Sequence, residues 1–296
     1  MSEGSQSDAA LVLVGHGSTL NGDSSDPIYL HGDSLRKQGR FAEVQECFWK
    51  LEPSISTVRY QVFSPSVYVV PVFISEGYFT QQVIPRELGF CSKGDASFRR
   101  ILEERGQRYY YCDPVGTHTS MTDALASRAR DVLDHHPFPS RPPDHDVTLF
   151  IAGHGTGNND NSRKIIEHQA EVLRQQEQFA AVHAVFMEEE PRIEACYDLS
   201  ETKNLVMVPF FISDGLHSFE DIPMMLGASS ETINKALRSG QPTWRNPTER
   251  LGKRVWYTRS IGLDPEITQV ILQRVDEAAG WSPDERLVIA GAGEKT

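Results

Sequence analysis

Short apolar runs alternate along the second half of the chain with longer segments whose apolar residues recur at helical spacing. Val147–Ala152 is a mostly apolar run closed by Gly153 and predicts a buried strand. Residues 160–177 place Ile166, Ala170 and Leu173 on one face and predict a helix. Val182–Met187 reads as a second strand, Pro191–Leu199 as a helix start and body, and Leu205–Ile212 as a nearly continuous apolar strand. Asp221-Ile222-Pro223 resembles a helix start with an acidic cap, Arg254–Tyr257 a last strand, and Pro265–Ala279 a last helix. Strands alternating with helices predict a mainly parallel sheet of four strands with helices on both faces, a flavodoxin-like α/β unit. Right-handed crossovers then collect the strand-to-helix loops along the carboxyl edge, where such sheets bind ligands.

The same pattern occurs twice. LVLVGHGS (11–18) matches LFIAGHGT (149–156), FAEVQECFWKLEPSI (41–55) matches FAAVHAVFMEEEPRI (179–193), and VVPVFISEGYFTQQVIPRELG (69–89) matches MVPFFISDGLHSFEDIPMMLG (207–227). The offset between the halves is 138 in all three blocks, as 154 − 16, 191 − 53 and 227 − 89 show. After a short insertion, DPVGTHTSMTDAL (113–125) aligns with RSIGLDPEITQVI (259–271). A period this long is a duplicated domain rather than a solenoid. The expected organisation is a first repeat over 1–134, a Pro-rich linker over 135–146 and a second repeat over 147–296, related by a pseudo-twofold axis.

Composition narrows the function classes. A net charge of −12 argues against a general nucleic-acid binder, which needs a basic face. No apolar run approaches the ~20 residues that span a bilayer, and the acidic, polar start MSEGSQSDAA is unlike a signal peptide. No membrane partner and a cytoplasmic location are therefore expected. Cys47, Cys91, Cys112 and Cys196 are scattered without a CxxC pair, so reduced, partly buried thiols are expected rather than a metal knuckle. The three histidines of the linker sit in a segment that fixes no ligand geometry.

Candidate chemistry gathers at the carboxyl edge. Gly15-His16-Gly17-Ser18 and Gly153-His154-Gly155-Thr156 each follow the first strand of their repeat, and the flanking glycines leave the imidazole uncovered. No Arg precedes these histidines as a phosphate-holding site would want, no GxGxxG fingerprint is completed, and no GxSxG elbow occurs. His217 follows the third strand of the second repeat within Ser213-Asp214-Gly215-Leu216-His217. His154 and His217 can converge on a borderline divalent metal such as cobalt, nickel, iron or zinc and leave coordination positions open. Glu188, in the acidic turn Glu188-Glu189-Glu190 after the second strand, is a candidate third ligand or proton acceptor. Glu190 aligns with Glu52 and reads as shared and structural, whereas Glu188 aligns with Lys50.

The His-containing GHGS-type loop, the run Val208-Pro209-Phe210-Phe211-Ile212-Ser213-Asp214-Gly215-Leu216-His217 and the following Glu220-Asp221-Ile222-Pro223 together resemble the CbiX-type sirohydrochlorin chelatases, a class II chelatase family. The resemblance covers most of both repeats. It implies a two-lobed fold with a tetrapyrrole cleft and ATP-independent insertion of a divalent metal, Co²⁺ first, with Fe²⁺ or Ni²⁺ as alternatives. His154 and His217 would bind the metal or take pyrrole protons, with Glu188 assisting. His16, Ser18, Phe79, Thr156 and Ser213 are the expected lining of the cleft. No cofactor beyond the metal substrate is implied, because the His-rich tail and cysteine cluster of longer members are missing. The expected partners are the tetrapyrrole and the metal ion, and the chain would act as a monomeric pseudo-dimer or a homodimer. The first repeat has Phe79 where the second has His217, which leaves its own metal site incomplete. A carboxylate-rich substrate also needs local basic residues against the acidic net charge, and Arg86 and Arg163 are candidates. The alternative reading is a non-catalytic metal or tetrapyrrole carrier on the same fold.

Overall fold

A computed structural model describes residues 6–19, 22–155 and 160–289. In the first repeat the elements run β1 (Ala9–Gly15), α1 (Asp26–Gln38), β2 (Glu43–Phe48), α2 (Ile55–Val58), β3 (Ser66–Pro71), α3 (Ile84–Glu87), β4 (Ser97–Arg99), β5 (Ile101–Glu104), β6 (Gln107–Tyr111) and α4 (Met121–His135). The second repeat continues with β7 (Val147–Gly153), α5 (Asp160–Gln175), β8 (Ala181–Phe186), α6 (Cys196–Leu199), β9 (Asn204–Pro209), α7 (Ile222–Met225), α8 (Ser230–Arg238), β10 (Thr248–Arg250), β11 (Lys253–Tyr257), α9 (Glu266–Ala279) and β12 (Arg286–Val288). No helix among the described residues is long and apolar enough to cross a membrane.

Each repeat contributes a five-stranded sheet, ordered β2-β1-β3-β6-β5 and β10-β11-β9-β7-β8. Four strands in each are parallel, as the sequence predicts. The fifth is an antiparallel edge strand, β5 on β6 or β10 on β11. The sequence pattern misses it because both edge strands are short, four residues in β5 and three in β10. Their turns, Arg105-Gly106 and Leu251-Gly252, have positive φ at all four positions. β1 alternates cleanly: Ala10, Val12 and Val14 join the core under α2 and α3, and Leu11 and Leu13 are buried on the opposite face. Burial on both faces is what a parallel sheet covered by helices demands.

Two compact units result, Met1–His118 with Pro265–Thr296 and Thr119–Asp264. They do not coincide with the repeats at 1–134 and 147–296. α4, the last helix of the first repeat, packs on β9, β11 and α5 of the second unit, and α9 packs on β3, β6 and α1 of the first. Matched arginines fasten both exchanged helices. Arg128 of α4 pairs with Asp264 at 3.1 Å. Arg274 of α9 donates to the Pro114 carbonyl and the Thr117 hydroxyl at 3.1 and 2.7 Å.

The segment 135–146 is also built into the second unit rather than left as a free linker. Asp144–Asp146 forms a 3₁₀ turn. Arg141 pairs with Asp134 and Asp144, each at 2.7 Å, and Trp256 Nε1 donates to the His136 carbonyl at 2.9 Å. The cysteines are free; Cys47, Cys112 and Cys196 are buried, and burial pushes the Cys196 thiol up to about 12.

Candidate functional site

Strand register sets the site. In the second unit Gly153 lies opposite Phe186 and Ala152 opposite Pro209, so β7, β8 and β9 end level. His154 leaves the end of β7 through Gly155, whose φ of 67° is left-handed. A side chain there would collide with Phe186 and Glu189, so glycine is required for space as well as for conformation. Gly17 in the first unit has the same φ of 67°. The Glu188 amide donates to the His154 carbonyl at 3.0 Å and holds the two residues side by side.

His217 opens a single π-turn, His217–Asp221, between β9 and α7, a distortion common at functional positions. The turn is secured from β11: Tyr257 donates its hydroxyl to the Ser218 carbonyl at 2.8 Å, and burial raises this phenol well above its ordinary range, keeping it a donor. The Ser218 and Ser260 hydroxyls lie 2.9 Å apart.

These elements bring together the residues that the sequence marks. The His154 and His217 rings stand 4.9 Å apart, centroid to centroid, at 86°. Glu188 Oε1 lies 3.7 Å from His154 Nδ1, and that nitrogen is buried without a hydrogen-bond partner among the described residues. A buried ring nitrogen left in this state is a natural place for a cation or a proton donor. His217 is half exposed, so the pair is reachable from solvent. Among the described residues no group of three or more His, Cys, Asp or Glu side chains is arranged to hold a metal ion. An ion on this pair would therefore keep most of its coordination positions for water or substrate.

Asp221 is the residue that the sequence pattern misassigns. Its carboxylate makes no capping bond at the start of α7. It lies instead 2.6 Å from His217 Nδ1, one turn away. An ionised carboxylate only accepts, so Nδ1 carries the hydrogen and Nε2 keeps the free lone pair. In the first repeat Phe79 and Val83 stand where His217 and Asp221 stand in the second, so the imidazole and the carboxylate beside it are both replaced by apolar side chains.

The other expected residues divide. His16 is in edge contact with Phe79 at 4.8 Å, matching the His154–His217 pair in placement, and its Nδ1 lies 2.8 Å from the Gly17 carbonyl. Phe79 is the hub of an aromatic cluster with Phe73, Tyr78 and Trp49. Ser18 belongs to the same loop as His16, and the half-buried Ser213 accepts a bond from Ser260 at its carbonyl. Thr156 lies outside the described residues. Glu190 and Glu52 play the shared role expected of them, each accepting from the backbone amide two residues on, at 3.2 and 2.8 Å. Arg163 is engaged by Glu167 and Glu189, at 2.8 and 2.9 Å.

Comparison with known proteins adds a family to this geometry. The family model described as CbiX matches residues 10–132 and again 148–278. A probable sirohydrochlorin cobaltochelatase of Halobacterium salinarum is 42% identical over 279 residues, which is 91% of either chain. A sirohydrochlorin cobaltochelatase of Methanopyrus kandleri is 30% identical over 142 residues, covering 45% of this chain and 98% of its own, so it has the length of one repeat. A multi-domain protein of Deinococcus radiodurans with structural similarity to chelatases superposes with a TM-score of 0.73 at 29% identity. That match covers 95% of this chain, which spans only 57% of the Deinococcus chain.

Proposed function

The chain belongs to the CbiX family, and on that premise we propose that it is a metal chelatase inserting a divalent ion, cobalt before iron or nickel, into sirohydrochlorin or a related tetrapyrrole without ATP. The observation that carries this reading is the perpendicular His154–His217 pair, 4.9 Å apart at the carboxyl edge of the second unit. Insertion forms metal–nitrogen bonds within the macrocycle, releases two pyrrole protons and strips water from the ion. An open pair of imidazoles suits each demand. It holds a borderline ion without closing its shell, and it leaves faces through which the macrocycle replaces water. Glu188, beside His154, takes pyrrole protons and passes them to solvent, to which it is well exposed.

The test is steady-state turnover with sirohydrochlorin and Co²⁺, followed by absorbance in the absence of nucleotide, with Ni²⁺ and Fe²⁺ in parallel. Many turnovers per chain are expected. Stoichiometric uptake of metal or tetrapyrrole without turnover would instead identify a carrier.

Asp221 gives this reading a specific consequence. A carboxylate that fixes the tautomer and orientation of a ligating histidine is worth roughly 10–100-fold in metal affinity or activity. Asp221→Ala is expected to weaken Co²⁺ binding and insertion by that factor while leaving tetrapyrrole affinity unchanged. Co²⁺ titration by visible absorption and tetrapyrrole titration by fluorescence check it. Equal weakening of both ligands would assign Asp221 to the loop's shape instead.

A further inference from the structure

We propose that Arg259, held by the buried Asp214, is a docking point for a carboxylate of the substrate beside the histidine pair; this rests on the tetrapyrrole reading above. Asp214 is 2% exposed and lies three residues before His217. A carboxylate buried this deeply must be paired and hydrogen-bonded. It accepts from the Ser260 amide at 2.9 Å and from Arg259 Nε at 2.8 Å. The partner is not buried with it: the Arg259 side chain is 64% exposed. The hydrogen bond uses Nε, and among the described residues the Nη1 and Nη2 end of the fork makes none. That end of a guanidinium matches a carboxylate with two parallel donors.

Placement ties this fork to the site. Arg259 follows β11 at the carboxyl edge, and the segment 259–260 is stitched to the loop 213–218 by Asp214, by the Ser260 bond to the Ser213 carbonyl and by the Ser218–Ser260 hydroxyl contact. An exposed arginine on a mobile stem would be a weak anchor. One clamped at Nε by a buried aspartate has already lost much of its rotamer freedom and presents its donors in a fixed place.

The first repeat supplies a contrast. Gly116 and Gly262 occupy the same position, each donating its amide at 2.9 Å to the carbonyl of Phe73 or Phe211, and this pins the alignment of 113–118 with 259–264. Asp113 therefore stands where the second repeat has Arg259, and it is neutralised by Arg100 at 2.8 Å. The cation accompanies the histidine pair and is absent from the repeat that has Phe79. It also answers the charge problem. A chain of net charge −12 that takes a polyanion needs a local cation at the place of binding, and Arg163 is already engaged by two glutamates.

Three variants of the full chain test this. Arg259→Ala is expected to raise KM for sirohydrochlorin about tenfold, the size of one partly exposed charge-assisted contact, with kcat and KM for Co²⁺ unchanged. Arg259→Lys keeps the charge without the fork and should recover only part of the affinity. Arg259→Gln keeps a donor for Asp214 and should match the Ala variant in KM even if that variant is less stable. Direct titration with metal-free sirohydrochlorin and with its carboxylate-esterified form separates charge from shape, because wild type and Arg259→Ala should bind the ester alike. Unchanged affinity of Arg259→Ala and Arg259→Gln for the free acid would overturn the proposal while leaving metal insertion standing, as would equal losses for acid and ester. Loss of free-acid affinity in a wild-type background that binds but never inserts metal would overturn the proposed function and keep the carboxylate dock.

Discussion

His217→Ala is expected to remove nearly all metal insertion, by roughly 10²–10⁴-fold if one imidazole is lost both as ligand and as proton acceptor. The site offers few substitutes. Glu188 is 3.7 Å from His154, and no third His, Cys, Asp or Glu completes a metal-holding group among the described residues. His154→Ala should behave the same way, because the pair acts as a unit and the two losses should not add. In the first unit the equivalent changes should be mild for metal and different in kind. His16 faces Phe79 rather than a second imidazole, so His16→Ala removes a ring contact and no ligand pair. Phe79 has no lone pair and moves no proton. Phe79 instead contributes apolar ring surface, in contact with Phe73, Tyr78 and Trp49, on which a macrocycle could pack. Phe79→Ala should therefore weaken tetrapyrrole binding, by about 0.5–1.5 kcal/mol for one aromatic contact, more than it weakens metal binding. Steady-state insertion and separate metal and tetrapyrrole titrations on the four variants check the pattern. Equal losses in His16→Ala and His217→Ala would sink the asymmetry and would point to two equivalent histidine loops.

Much of this arrangement is legible in the sequence for physical reasons. A parallel strand buried on both faces must be an apolar run, so β1, β3, β7 and β9 announce themselves. The chain also has to turn where each of these strands stops, and the two GHG loops fall at such turns. Duplication supplies the rest: what is shared between Glu190 and Glu52 serves the backbone, and the exchange of His217 for Phe79 shows where the two repeats differ in chemistry. Other features are hidden. The π-turn sends the Asp221 carboxylate back to His217, whereas spacing alone makes it a helix cap. Arg259 lies beyond the insertion that shifts the offset, and its importance comes from Asp214, 45 positions earlier in the chain. The β5 and β10 edge strands are only four and three residues long, so they leave little periodic signal. The exchange of α4 and α9 leaves no trace at all in the pattern. A repeated helix shows the same apolar face whether it packs on its own sheet or on the other one.

That exchange is open to a direct test, because ending the chain at Asp264 should unfold the first unit and spare the second. The residues removed belong to the second repeat by sequence, so a repeat-by-repeat organisation demands the opposite. α9 buries Ile267, Val270, Ile271, Leu272 and Val275, and its contacts are with β3, β6 and α1. At about 1.5–3 kcal/mol for each fully buried aliphatic side chain, their loss rivals the 5–15 kcal/mol that holds a typical domain folded. The same cut removes β12, whose pairing with β4 puts Leu287 into the core of the first unit, and the guanidinium of Arg274 that fastens the loop at Pro114 and Thr117. The second unit loses no element. α4 still covers β9 and β11, and Arg128 still meets Asp264, now at the chain end. Amide hydrogen exchange on the truncated protein reads the two units separately. Protection should vanish from β1 and β3 and persist in β7 and β9, with Co²⁺ still bound at the His154–His217 pair. Protection lost from β7 and β9 and kept in β1 and β3 would show that each repeat keeps its own last helix.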